Sequence, residues 1–571
     1  MMKKMKIPHF VRGILLCSFV MFFLPLSAQV LSVVISEVMY KPDPAVGLPE
    51  CEYVELYNRS DTEVFLDGWR LMVGRQLKLL PSCRMQPRSC LLLAAASDTA
   101  ALSVFGPVAA LSSLSLNNSG QRLALLDASG RTLFSFSYRH EWQVPEKRTG
   151  GWSLEMSDPG QPCVEKGNWI SSKDLSGGTP GRFTPSSAAI PHEPVRLLRV
   201  VSEGERDVKL FFSGKLHPDC IGMSGAFIVD GMVPADSMPE LGPDWNWVRL
   251  RIPFALQAGE RHLLHAAAPL CDCSGAPVES AAVPFGLSET ADSLDLVVNE
   301  LLFHPDAGGS AFVEIYNRSG KIVDLRYLRL TSHKKDGSLD TGRLVAPDGW
   351  PLFPGGYLFI TANPDAVCTR YDCAAENGVE MPDFPSYAHG AGEVVLLDRG
   401  RVLDGFSYSE SMHYPLLASA EGVSLERISP DVGTRRAENW CSAASVSGYA
   451  TPGRPNSCLS YGDAPETEGL WLENALFSPD GDGYADRMLA RYRMAEASMR
   501  GSAWVYHPDG TRVRTLLNNE LLAAEGMIVW DGVQDNGCIA LTGAYVLLFE
   551  YWSLSGRVKR IRRVVTVARR W

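Results

Sequence analysis

Short runs rich in Val, Leu, Phe and Tyr recur along this chain between clusters of Gly, Pro, Asn and Asp, and apolar residues at helical spacing are scarce. That pattern predicts strands, because successive side chains on a strand point to opposite faces and a two-residue period follows. Tyr53-Val54-Glu55-Leu56-Tyr57 alternates, and Asn58-Arg59-Ser60-Asp61 supplies turn residues before Val64-Phe65-Leu66, so two strands joined by a tight connection are expected there. Further strands are predicted over Cys90–Ala94, Arg122–Leu126 and Thr132–Phe136.

About 260 residues later the same text returns. Ile35-Ser36-Glu37-Val38 and Tyr53-Val54-Glu55-Leu56-Tyr57-Asn58-Arg59-Ser60 have their counterparts in Val298-Asn299-Glu300-Leu301 and Phe312-Val313-Glu314-Ile315-Tyr316-Asn317-Arg318-Ser319. Each stretch closes alike, with Ser153-Leu154-Glu155, Asn168-Trp169 and Thr179-Pro180-Gly181 in one, and Ser424-Leu425-Glu426, Asn439-Trp440 and Thr451-Pro452-Gly453 in the other. The predicted strands recur as well, at Gly356–Ile360, Gly392–Leu397 and Val402–Phe406. A repeat of this length is a whole domain used twice, since each copy is large enough to bury its own core. About seven strands per copy fit a sandwich.

These residues resemble the lamin tail domain, an immunoglobulin-like sandwich found in nuclear lamins and in exported bacterial proteins. The second copy departs where Arg326-Tyr327 stands in place of Gly68-Trp69, which puts a turn in doubt and leaves the fold. Between the copies, Phe211-Phe212-Ser213-Gly214-Lys215-Leu216-His217-Pro218 is similar to immunoglobulin-like modules of bacterial surface proteins. After a polar linker, Leu476-Phe477-Ser478-Pro479-Asp480-Gly481, Val529-Trp530-Asp531-Gly532 and Thr542-Gly543-Ala544-Tyr545 are similar to the immunoglobulin-like domain of flagellar hook-capping proteins. That layout also closes exported Bacteroidetes proteins, and the resemblance implies a sorting role in type IX secretion. The fold class read here is all-β, with several immunoglobulin-like β-sandwich domains in tandem. A leader at 1–28 is followed by sandwiches over 29–186, 187–290, 291–460 and 470–571.

The leader reading rests on a basic start to Arg12, an apolar run from Gly13 to Leu26, and Ser27-Ala28-Gln29 as a cleavage site. At fourteen residues the run is too short to span a bilayer, which takes about 20. Export makes disulfides the default for the twelve cysteines beyond Cys17. Short spacings favour Cys83 with Cys90, Cys368 with Cys373 and Cys441 with Cys458, while Cys220 has Cys271 or Cys273 as partner. Cys271-Asp272-Cys273 lacks zinc spacing and reads as disulfide or free thiols. The net charge of −11 argues against general nucleic-acid affinity. The basic end, Arg557 to Trp571, alternates valines with charges like a strand that has a solvated face.

Asp480, Asp482 and Asp486 surround two glycines, so their carboxylates are a candidate calcium site. An Asp/Gly turn that caps its own backbone explains the same residues. Glu37, Glu55, Glu300 and Glu314 pair as acid and base carboxylates would, yet alternation with large apolar residues and the lack of a neighbouring nucleophile read them as strand residues of the repeat. His262 and His265 lie three apart without a third ligand and read as structural. No nucleophile elbow, zinc-helix motif or phosphate-cradling glycine loop is present in the sequence. The expected function is that of an exported, non-catalytic protein, extracellular or on the cell surface and at most peripheral to the outer membrane. It would contact a surface protein or glycan, and meet the secretion machinery through its last domain. The alternatives are an accessory subunit of an exported nuclease or phosphatase, and a structural part of an outer-membrane machine.

Overall fold

The computed structural model describes residues 30–165, 167–183, 190–191, 193–234, 238–334, 336–460 and 468–568. The expected leader and Arg569-Arg570-Trp571 lie outside the described residues. The chain is all-β and divides into two compact units. One runs to Leu198 and adds Lys209–Pro253 and Leu263–Val283, and the other takes Arg199–Val208, Phe254–His262 and Pro284–Trp571.

In the first unit a six-stranded sheet runs in the order Trp169–Ser171, Leu154–Met156, Val33–Met39, Tyr53–Asn58, Cys90–Ala95, Val108–Leu111. A four-stranded sheet of Thr132–Arg139, Gly120–Leu126, Arg70–Val73 and Gln76–Leu79 packs against it. Val38, Val54, Leu56, Leu71, Leu125 and Phe136 fill the space between, and Phe136 stacks on Trp169 with ring centroids 4.2 Å apart. Ten strands in two main sheets exceed the seven expected, because short closing strands join each edge. The alternation at Tyr53–Tyr57 separates two buried faces rather than a buried from a solvated one. Tyr53 packs with Met39, Leu48, Leu92 and Leu102 on the far side of the sheet.

The expected hairpin after Asn58 is not formed. Val64–Phe65 pairs with Arg84–Met85, and Tyr53–Asn58 is hydrogen-bonded to Val33–Met39 and Cys90–Ala95 instead. Asn58 causes the departure: its Nδ2 donates to the carbonyls of Thr62 (2.8 Å) and Gln86 (3.0 Å), and its Oδ1 accepts from Ser60 N, which turns the chain out of the sheet.

The middle segment contributes to this unit a pairing of Phe227–Val229 with residues 264–266, and two disulfides. Cys220 pairs with Cys271, one of the two partners expected. Cys273 pairs with Cys163, 110 residues away, and ties the segment to the end of the first sandwich. Beside that bond the buried Lys215 reaches Glu165 at 2.6 Å and donates to the Ser135 carbonyl, while Arg122 pairs with Asp244.

The second unit repeats the sheet order of the first: Trp440–Ser442, Leu425–Arg427, Leu296–Leu302, Phe312–Asn317, Tyr357–Thr361, Gly378–Glu380, facing Arg401–Ser409, Ala391–Asp398, Leu328–Thr331 and Arg343–Leu344. A register shift between Val298 and Glu300 matches that between Ile35 and Glu37, and Phe406 stacks on Trp440 at 3.6 Å. Where Gly68 turns the first chain at φ +74°, Leu325–Tyr327 forms a 3₁₀ turn capped by Asp324, so the substituted residues alter the turn alone. Arg427 occupies the place of Met156 and is buried against Asp404, with Nε donating to the Val298 carbonyl at 2.7 Å.

The same unit ends in a smaller sandwich. Gly469–Leu472, Met488–Arg493 and Glu525–Trp530 form one sheet, and Leu476–Phe477, Val558–Val567, Gly543–Trp552, Arg500–Tyr506 and Arg512–Leu521 the other. Trp530, fully buried, meets Phe477 and Tyr545 edge-on. Val558–Val567 is the strand expected of the basic end, with Val565 and Val567 in the core and Arg560 paired with Glu550 at the surface. Cys83 and Cys90 are free thiols, against the spacing-based pairing, Cys441 and Cys458 lie side by side as buried thiols without a bond, and Cys368–Cys373 is bonded as expected. Cys90 is engaged with Glu55 while Cys83 lies near Asp67, so the two point to different neighbours.

Converting Cys163 and Cys273 to serine is expected to lower the unfolding free energy of the first unit by about 2–5 kcal/mol, since the bond closes a long loop in the unfolded chain. Urea denaturation followed by tryptophan fluorescence measures the difference.

Candidate functional site

The flagged glutamates are neighbours in space. Glu37 lies opposite Glu55 on one side and opposite Glu155 on the other, so three carboxylates stand side by side across three strands. The second unit sets Glu300 between Glu314 and Glu426 in the same way. Their side chains leave the sheet on the face away from the sandwich core, where water would be expected. Glu37 and Glu55 are nevertheless 1% exposed, and Glu300, Glu314 and Glu426 are fully buried.

The Thr-Pro-Gly segment covers them. Glu37 Oε1 accepts from Tyr53 OH (2.6 Å) and from Thr179 N (2.9 Å), and Glu55 accepts from Ser36 Oγ (2.7 Å) and Gly181 N (2.7 Å). Thr179 Oγ1 donates to Glu155 at 3.1 Å. In the second unit Thr451 N donates to Glu300 Oε1 (2.9 Å), Thr451 Oγ1 donates to Glu426 (2.8 Å), and Gly453 N donates to Glu314. Asn299 Nδ2 replaces the Ser36 hydroxyl, reaching Glu314 at 2.8 Å. Gly181 and Gly453 both hold positive φ, +81° and +77°, and a Cβ on Gly181 would stand 2.0 Å from the Phe105 carbonyl oxygen. Only glycine brings the backbone N–H down to the carboxylate there.

Burial pushes Glu37 up to about 8, and the charges of Glu55 and Glu155 add to it. Burial likewise raises Glu55 to about 7 and, with the Glu426 charge next, Glu300 to about 8. Glu314 is raised well above the ordinary carboxylate range by burial and by Glu300. Glu37, Glu300 and Glu314 are therefore held largely as neutral acids near pH 7 and Glu55 about half so, and the four act as a latch that fastens the closing segment to the sheet. Sealed from solvent and engaged with backbone donors, they present no face to a substrate. The structure joins the four strand glutamates with Glu155, Glu426 and the Thr-Pro-Gly segment into one assembly, which the sequence reading missed. The signal was available, because all recur in both copies.

The other candidates are placed as follows. Asp480, Asp482 and Asp486 converge, with carboxylate oxygens within 4.8 Å of one another, on the exposed loop between Leu476–Phe477 and Met488–Arg493. Asp486 accepts from Gly481 N (2.7 Å) and Gly483 N (2.9 Å), and Asp482 accepts from Tyr484 N (2.9 Å), so the acids also cap their own loop. Three converging carboxylates fit a hard cation in donor type. His262 stands partly buried between the rings of Phe254 and Phe285, at 4.8 and 5.6 Å. Glu426, Cys441 and Cys458 form a second cluster of potential ligands, wholly buried. Among the described residues no helix is long and apolar enough to cross a membrane.

A carboxyl with a folded pKa near 8 binds a proton that the unfolded chain has already released above about 4.5. Its favourable contribution is complete below that value and is lost as pH rises through 8. Melting of the wild-type first unit is thus expected to weaken between pH 5 and 8. Glu37→Gln, which keeps the acceptor for Tyr53 and Thr179 without the ionisable proton, should remove one proton's share of that slope, roughly 1.4 kcal/mol per pH unit at its steepest. Calorimetry across this range measures it, and an unchanged slope in the variant would show that Glu37 does not titrate there.

Residues 27–140 match the family model of the Lamin Tail Domain. No curated protein matches the chain. Among solved structures, the N-terminal part of the bacterial S-layer protein SbsC aligns at 11% identity and TM-score 0.17, over 38% of this chain and 44% of that one. A calcium-stabilised, ice-binding adhesin of an Antarctic bacterium aligns at 8% identity and TM-score 0.12, over 94% and 99%. A Bacteroides ovatus protein from a mixed-linkage glucan utilisation locus, solved with a heptasaccharide, aligns at 10% identity and TM-score 0.16, over 84% and 87%. The chain spans less than half the length of the S-layer fragment, and alignments this loose carry no argument. The family match falls on the sandwich whose glutamates and Thr179-Pro180-Gly181 form the first latch.

Proposed function

We propose that this chain is an exported, non-catalytic binding protein of the cell surface, in which two lamin tail domains and a terminal immunoglobulin-like module form the scaffold. The observation that carries this reading is the use of the acid groups. Carboxylates that a search for a reaction centre selects are spent on fastening each closing segment, inside a sandwich that matches the lamin tail family over 27–140. The repeat of sheet order, register shift and latch supports 291–460 as a second lamin tail domain. The resemblance of 470–571 to hook-capping modules supports a role in type IX export or in anchoring.

Deleting 471–571 is expected to leave the rest of the chain in the periplasm, read by proteinase K digestion of intact cells and blotting of fractions. Unchanged surface delivery would exclude the sorting role. Purified full-length protein is expected to show no nuclease, phosphatase or peptidase activity on generic substrates, and measurable turnover abolished by point substitution would favour the enzyme-accessory reading.

The same proposal places a calcium ion on Asp480, Asp482 and Asp486. Calcium at about a hundred times its dissociation constant is expected to stabilise the terminal module by about 2.7 kcal/mol. Asp486→Asn should remove the increment, and a melting curve of the wild type indifferent to calcium would return the loop to a self-capped turn.

A further inference from the structure

The two matched sandwiches differ most at one strand connection. In the first unit Val73 pairs directly with Gln76, so Gly74-Arg75 make a two-residue turn. In the second, Leu330 pairs with Arg343, and the described residues between them, 331–334 and 336–342, form a long excursion at the end of the sheet. An elaborated loop on a repeated scaffold is where proteins put binding groups. Beside it opens a cleft of about 460 Å³, walled on its other side by the segment 385–388 and the start of Ala391–Asp398. That volume is in the range of small-molecule sites.

The floor of the cleft is aromatic and braced. Tyr408 donates its hydroxyl to the Ala388 carbonyl at 2.9 Å, and Tyr387 stands edge-on to it with centroids 6.3 Å apart. The walls are polar and of mixed sign. His333 Nδ1 lies 2.7 Å from Glu393 Oε2, Asp340 holds the excursion through its backbone, and Arg343 adds a cation. One surplus sign of charge would select an ammonium or a phosphate. Interleaved donors and acceptors over an aromatic floor instead suit a ligand rich in hydroxyls. The Tyr387 hydroxyl, shielded from solvent, has no hydrogen-bond partner among the described residues. An unmatched polar group beside a cavity lowers stability unless something completes its bonding.

We propose that this cleft is a binding site for a neutral saccharide, with His333, Glu393 and Arg343 contacting ring hydroxyls and Tyr387 supplying the deep contact. The assignment rests on the surface-binding reading above and names its ligand class. The first sandwich, with its two-residue turn, lacks the excursion that walls the site.

The test uses full-length protein on an array of neutral and acidic oligosaccharides, followed by titration calorimetry with the strongest neutral oligosaccharide. Glu393→Gln and Tyr387→Phe are each expected to weaken that binding about tenfold or more. Tyr387→Phe should melt at the same temperature as the wild type or higher, since it deletes an unmatched hydroxyl, so lost binding is not lost folding. Exclusive binding of acidic oligosaccharides, or affinity unchanged in both variants, would overturn the site. If no oligosaccharide binds while surface digestion still finds the protein outside the cell, the saccharide assignment falls and the surface-binding reading stands.

Discussion

Burying a carboxylate costs several kcal/mol unless the group is neutralised or hydrogen-bonded, and this protein places two sets of three on adjacent strands. Everything around them follows from that cost. Antiparallel neighbours are about 5 Å apart, so Glu37, Glu55, Glu300 and Glu314 are driven toward neutrality by burial first and by the neighbouring acids next. A closing segment then has to deliver backbone N–H groups from above, and glycine at positive φ is what lets it come close enough. The latch thereby couples the closing segment of each of the two matched sandwiches to its opening strands, more than 120 residues back in sequence.

The latch also explains why a six-stranded sheet with polar residues on one side is dry on both. Val54 and Leu56 face the sandwich core while Tyr53 and Glu55 face the closing segment, and both sets are buried. In the second unit a further buried ion pair, Arg427 with Asp404, is satisfied by the Val298 carbonyl and by Thr434, which donates to Asp404 at 2.8 Å. Such a pair adds little net stability compared with the methionine in the equivalent place of the first unit, but it fixes the geometry of the bulged strand next to Glu300.

Rigid sandwiches leave binding to their loops and ends. The first unit spends its connections on cross-links, with Cys163–Cys273 and the Lys215 contacts tying the middle segment down. The second spends one on a long excursion that opens a polar cleft. Two sandwiches with one strand order thus present different surfaces, as expected where the fold is set by core packing and the function by loops.

The strands, their all-β class and the internal repeat were legible in the amino-acid order, because period-two alternation and a recurrent motif are local properties. The strand glutamates were legible as positions of that repeat for the same reason. Pairing partners were not: Val64–Phe65 leaves the sheet because Asn58 caps a turn, and Cys273 finds Cys163 rather than a near neighbour, since three-dimensional proximity and not spacing selects a bond. The union of Glu37, Glu55, Glu155 and Thr179-Pro180-Gly181 into one latch, and the cleft beside His333 and Tyr387, were likewise decided by tertiary structure. Both depend on which side of a sheet a distant segment covers. Local sequence specifies a strand's two faces, and only packing settles what each of them meets.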